Sequence, residues 1–226
     1  MPKAPAKKKP AAKAPVQTDF IPALTQLFDR YRGRPHPLEY RNRFQLVIMT
    51  ILSAQDSDRH INQIAPEFFK SYPDMASLVD AKFEDLMPLL SSVRNFGNKI
   101  KWILSIAKTL QKDENIPTTL AELTQLNGIG RKSANVIIRE SGGEAEGIIV
   151  DLHVVRVAPR IGLVDATQPD KIEKQLMALI SQKYWNDAGM AISFLGREIC
   201  RPKNPKCDVC PMSDVCVYFK SVLSAS

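Results

Sequence analysis

Apolar residues recur along most of this chain at three- and four-residue intervals, the spacing of one helical face. Phe20, Leu24, Leu27, Phe28 and Tyr31 fall on a single stripe. Thr18 or Asp19 is placed to cap its start, and Gly33 with Pro35 to stop it. Phe44, Val47, Ile48, Ile51 and Leu52 predict a second helix. Ile61, Ile64 and Phe68 predict a third, behind the cap-like Asp56-Ser57-Asp58. Further helical stretches centre on Leu78, on Leu86–Leu90 and on Ile100–Leu110. Leu120, Leu123 and Leu126 mark a short helix before Asn127-Gly128. Ser133–Arg139, Leu152–Ile161, Asp170–Gln182 and Ala188–Ile199 complete the set. There is no alternating strand of any length and no repeat of fixed period. The pattern predicts an all-α fold of about ten helices with short polar connections. Its clearest break is Glu140-Ser141-Gly142-Gly143-Glu144, directly after a helix.

Composition narrows the class. With 226 residues, 44% hydrophobic and 24% charged, the chain can bury a real core in one or two domains. The longest apolar run, Phe44–Leu52, contains Gln45 and Thr50 and is far short of a membrane span. Lys13 and Pro15 interrupt the apolar segment 11–16, so no signal peptide is expected. Lysine and arginine total 31 against 24 acids, a net of +7. Residues 1–16 hold Lys3, Lys7, Lys8, Lys9 and Lys13 and no acid, so most of the excess sits there. That Lys, Ala and Pro segment cannot bury enough apolar surface to offset its ordering entropy, and a disordered tail is expected. It reads equally as a solubilising tail or as an arm for a polyanion such as DNA.

The four cysteines, Cys200, Cys207, Cys210 and Cys216, lie within seventeen residues as C-x6-C-x2-C-x5-C. Thiolates suit zinc or an iron–sulfur cluster, and two disulfides are disfavoured in a chain without a secretory leader. Structural zinc sites commonly use two C-x2-C knuckles, and here there is one, so the wider loops favour a bulkier cubane. The first loop carries Arg201, Lys203 and Lys206, two prolines and no acid. Pinned at both ends, it is either a phosphate-binding loop or a solvated basic one.

Leu126–Val136 reads as helix, tight turn, helix. Gly128 and Gly130 permit positive φ and close backbone approach. The turn opens a helix N-terminus, where free N–H groups attract an anion, and Arg131 and Lys132 add charge there. Lys132 is either a surface cation or, with its pKa lowered by burial and positive potential, a nucleophile. Asp151 follows the apolar Ile148-Ile149-Val150 at a helix start. It is an N-cap, or a partly buried carboxylate with an electrostatic or proton-transfer role. His153 reads as a packed helix residue.

Taken together, L-S-A-Q-D-S-D at 52–58, L-N-G-I-G-R-K-S-A-N-V at 126–136, V-D-L-H-V-V-R-V at 150–157 and the cysteine spacing resemble the endonuclease III family of DNA glycosylases. This is the helix-hairpin-helix group with a C-terminal iron–sulfur loop, and the resemblance covers nearly all of the chain after residue 17. It implies two helical domains with DNA in the groove between them. A six-helix barrel would span 36–145, and 17–35 with 146–226 would form the cluster domain. It implies a [4Fe–4S] cluster on the four cysteines and duplex DNA with damaged bases or abasic sites as partner. It further implies a bacterial, nucleoid-associated cytoplasmic monomer with no membrane partner. Lys132 would attack C1′ of a flipped-out nucleotide, and Asp151 would stabilise the cationic sugar. Gly128, Gly130, Arg131, Arg201, Lys203 and Lys206 would contact DNA, and Gln55 would fill the gap left by the flipped nucleotide.

Three departures stand out. Asn127 replaces a proline, which should loosen the turn without changing its donors. Leu152 replaces a threonine and removes a hydroxyl beside Asp151. Arg94 and Asn95 occupy the place of a glycine and an apolar wedge, so an amide would hydrogen-bond the orphaned base rather than unstack it. These changes bear on substrate preference. Oxidised pyrimidines are the expected target; mismatched thymine or uracil, damaged purines, or DNA binding with little catalysis are the alternatives.

Overall fold

The structure, a computed structural model, describes residues 19–224. Thr18 and the basic segment 1–16 lie outside the described residues. Eleven α-helices follow one another: α1 Ile21–Tyr31, α2 Arg43–Leu52, α3 Asp58–Ser71, α4 Phe83–Leu90, α5 Phe96–Leu110, α6 Leu120–Leu123, α7 Arg131–Glu140, α8 Leu152–Ile161, α9 Pro169–Leu179, α10 Trp185–Glu198 and α11 Val217–Ser224. No strand occurs among the described residues. The expected all-α class is what the chain adopts.

Local chemistry sets the helix starts. Asp19 Oδ1 accepts from the Ile21 N–H, Asn42 from Gln45, Ser57 from His60 and Asp151 from His153 and Val154. Helix α2 is apolar on nearly every side because it is central. Phe44 and Leu46–Leu52 are buried, and α3, α5 and α7 pack around it. Helix α4 closes on α3 and α5, and α6 on α7. A second group forms around α10, which lies against α8 and α1, while α8 also contacts α9 and α11. Gly189 lets α10 approach the segment before α8, since a Cβ there would come 2.4 Å from the Ile149 carbonyl oxygen. That close approach anchors the segment leading to Asp151.

Three expectations change. The stretch around Leu78 is a single 3-10 turn, Ala76–Leu78. The helix expected over 170–182 ends at Leu179 and resumes as the 3-10 turn Gln182–Tyr184. Helix α11 was not anticipated; none of its residues is fully buried, and Tyr218 and Phe219 pack half-buried against the core. It is held by Tyr218 under the Arg160 guanidinium, 4.9 Å from the ring centroid.

Candidate active site

The hairpin between α6 and α7 is closed by the Ile129 N–H donating to the Leu126 carbonyl at 3.1 Å. Gly128 is required there twice over. Its φ is +81°, and a Cβ would sit 2.5 Å from the Trp102 ring. Gly130 is different from expectation: its φ is −86°, with open space around it, and it serves as the extended N-cap position of α7. The amide N–H groups of Gly128, Gly130, Arg131 and Lys132 donate to no acceptor among the described residues. This leaves an anion-receptive helix start. Asn127 does not leave the turn loose, because its Nδ2 donates to Ser105 Oγ on α5 at 3.1 Å.

Arg131 also makes an ion pair that the sequence did not announce. Its Nε donates to Glu173 Oε2 at 2.6 Å, and the buried Glu173 also accepts from Asn135. The Arg131 charge is thus drawn sideways to α9, where it neutralises a buried carboxylate. Its contribution to an anion at the hairpin falls accordingly.

Lys132, one step further along α7, faces a cleft of about 1580 Å³ shared with Asp151, Gln55, Asp58, Arg94 and Arg197. Water reaches the side chain from the open cleft, yet protein walls it on the other sides. That walling lowers the lysine pKa, with Arg197 acting in the same direction and Asp151 and Asp58 opposing. Behind it lies a chamber of about 20 Å³, bordered by Lys132, Asp151, His36, Thr50, Ser53 and Asp58. One water fits such a space. His36 is neutral there, because burial pulls its pKa down to about 4.

Asp151 is held by four contacts. Its Oδ1 accepts from the backbone N–H groups of His153 and Val154 at 2.8 and 2.9 Å. Its Oδ2 accepts from Ser193 Oγ at 2.6 Å and lies 3.9 Å from Arg197 Nη2. Arg197 in turn donates to Asp58 Oδ2 at 2.9 Å, joining α10 to α3. The hydroxyl missing at Leu152 is therefore supplied from elsewhere in the fold. Leu152 itself is 71% exposed on the cleft rim. His153 lines the same cleft rather than the core. Asp151 is thus both the N-cap and a fixed carboxylate in the cleft.

Gln55 lines the cleft and is exposed; Asn95 is exposed next to Arg94, which also lines it. Arg201, Lys203 and Lys206 are exposed on the loop that starts at Cys200. Arg160 pins that loop by donating to the Arg201 carbonyl at 2.8 Å. All four cysteines carry free thiols and border one small apolar cavity with Ile161, Ile199 and Phe219. Ser193, Arg197 and Asp58 were missed as members of the site. Their partners are distant in sequence, and α10 carries no motif around Ser193.

Residues 48–182 match the HhH-GPD superfamily of base excision DNA repair proteins, and 200–216 match the iron–sulfur binding domain of endonuclease III. The chain belongs to the endonuclease III family. Endonuclease III of Synechocystis sp. is 35% identical over 92% of this chain and 95% of that protein. Endonuclease III of Rickettsia felis is 32% identical over 91% and 98%. A solved complex, a trapped endonuclease III–DNA covalent intermediate with an estranged adenine, superposes with a TM-score of 0.81. It is 29% identical and covers 90% of this chain and 97% of its own. The protein is thus an endonuclease III-like base excision repair glycosylase with an iron–sulfur binding domain.

Proposed function

We propose that the protein is a bifunctional DNA glycosylase and AP lyase acting on oxidised pyrimidines in duplex DNA. The observation that carries this reading is the Lys132 amine beside the fixed Asp151 carboxylate in one cleft, at an open helix start. The helices α2–α7 and the group around α10 are then the two domains, with the DNA between them. The target nucleotide leaves the stack so that C1′ can enter the cleft. Neutral Lys132 Nζ forms a bond to C1′ as the C1′–base bond breaks, and its electrons leave with the base. Asp151 stabilises the cationic sugar. The nitrogen then passes a proton to O4′ as the C1′–O4′ bond opens, giving a protonated Schiff base; this acidifies C2′–H, and loss of that proton expels the 3′-phosphate, nicking the strand 3′ to the lesion. The unpaired amides of Gly128 and Gly130 hold a DNA phosphate, and Arg201, Lys203 and Lys206 add sequence-independent charge. Borohydride should trap a covalent adduct on duplexes bearing oxidised pyrimidines or abasic sites. No adduct on any member of a lesion panel would sink the reading.

A [4Fe–4S] cluster on Cys200, Cys207, Cys210 and Cys216 suits the donor set. Among the described residues no three His, Cys, Asp or Glu side chains converge tightly enough for a single metal ion. Four thiols nevertheless border one cavity, a donor set that suits an iron–sulfur cluster. Arg160 Nη1 lies 3.7 Å from Cys200 Sγ, a cation beside sulfurs that would carry negative charge. When bound, the cluster ties the basic loop to α8 and α10. The purified protein should be brown with about four irons per chain. Cys210→Ser should lose most of the iron and visible absorption, and weaken DNA binding with it. Stoichiometric zinc in place of iron would overturn the assignment.

A further inference from the structure

Lys132 shares its chamber with two carboxylates, Asp58 on α3 and Asp151 before α8. Its side chain nevertheless forms no hydrogen bond or ion pair with either, or with any other described residue. A flexible ammonium beside a carboxylate ordinarily pairs with it, and pairing holds the proton in place. Here Arg197 takes up both carboxylates instead. Its Nη1 donates to Asp58 Oδ2 at 2.9 Å, and its Nη2 lies 3.9 Å from Asp151 Oδ2. Its Nε lies 3.5 Å from Ser193 Oγ, the hydroxyl that donates to Asp151 Oδ2 at 2.6 Å. Among the described residues Asp58 has no other cationic partner. A planar guanidinium reaches two acceptors at once in fixed directions, which a single ammonium does not.

The other titratable groups around the amine carry no charge. His36, before α2, borders the chamber, and His153, on α8, lines the cleft beside Lys132. Burial keeps both neutral, His36 with a pKa of about 4 and His153 below its ordinary value. Two carboxylates and one guanidinium therefore set the charge at the amine. Burial is the largest influence lowering the lysine pKa; Asp151 and Asp58 raise it, and Arg197 lowers it. Without the guanidinium, two uncompensated carboxylates would draw the Lys132 ammonium into an ion pair.

We infer that Arg197 is a positioning residue: it occupies Asp58 and Asp151 together, so that neither pairs with the Lys132 amine. This rests on the glycosylase and lyase reading above, in which the neutral amine attacks. The test is the pH dependence of adduct formation on a duplex with a pre-formed abasic site, trapped by cyanoborohydride at saturating enzyme. No base leaves in this assay, so the part of Asp151 in base release does not enter. Arg197→Met should move the midpoint of the rise up by about one pH unit, so the rate near neutrality falls about tenfold and recovers in alkali. Asp58→Asn keeps the guanidinium, removes one carboxylate and should move the midpoint down. The double variant should lie between the two, faster near neutrality than Arg197→Met alone. Arg197→Lys should recover part of the shift, since an ammonium neutralises one carboxylate without bridging both. A loss in Arg197→Met that is equal at every pH, or a double variant no faster than the single one, would make Arg197 merely structural and overturn the inference. Asp58→Asn leaves Arg197 in place, so an unmoved or raised midpoint there overturns it even where Arg197→Met fails to fold. A full chain that forms no adduct at any pH would instead refute the lyase reading, and this inference with it.

Discussion

Lys132→Ala should abolish borohydride trapping on every lesion and slow strand nicking by at least ~10³-fold, because among the described residues no other amine lines the cleft to form the Schiff base. Arg94 and Arg197 border the same space, but a guanidinium does not lose its proton in the working range. The fold should survive. The Lys132 side chain makes no hydrogen bond among the described residues, and its ammonium sits where protein walls disfavour charge. A thermal melt should therefore show a midpoint equal to or above that of the parent protein. A drop of many degrees would mean that Lys132 holds the structure together, and the activity loss would then say little about chemistry.

The same environment sets a pH dependence. Only the neutral amine attacks, so the single-turnover rate should rise with pH as Lys132 loses its proton. Its pKa is lowered, chiefly by burial, so the midpoint of that rise lies below the ~10.4 of a free lysine. A rate limb centred at the free-lysine value would show that the walls around Lys132 do not act on it.

The helices were legible wherever an apolar stripe met a cap. Helix α2 could be read from Phe44–Leu52 alone, because a central helix is apolar on most sides. Helix α11 could not, since none of its residues is fully buried. Lys132 and Asp151 were named through the family resemblance, and the structure places both on one cleft. What surrounds them was not legible. Ser193 sits mid-helix in α10, 42 positions from the carboxylate it touches, and Arg197 reaches Asp58 across 139. Arg131 shows a partner that sequence does not announce. Its neighbours in sequence pointed to a phosphate, and only packing brought the buried Glu173 close enough to take the charge. The loss of a hydroxyl at Leu152 was likewise a local fact that the fold answers from a different helix.

Asp151→Asn is the second large effect, and it separates the two halves of the reaction. Asparagine caps a helix about as well as aspartate, so the bonds from His153 and Val154 N–H should persist and stability should change little. Ser193 Oγ can turn to accept where it now donates. What is lost is the negative charge. Asp151 raises the Lys132 pKa, so the variant holds more neutral amine at a given pH, which alone would speed attack. Base release should nevertheless fall by about 10²–10³-fold, since the cationic sugar loses its counter-charge. On a pre-formed abasic site the base has already gone, and trapping by borohydride should fall by about tenfold or less. Ser193→Ala, which keeps the charge and removes one hydrogen bond, should cost base release only about 3–10-fold. Equal losses for Asp151→Asn on lesion and abasic substrates would place the carboxylate at the elimination step rather than at departure of the base. Retention of wild-type base release would leave Asp151 as a helix cap and nothing more.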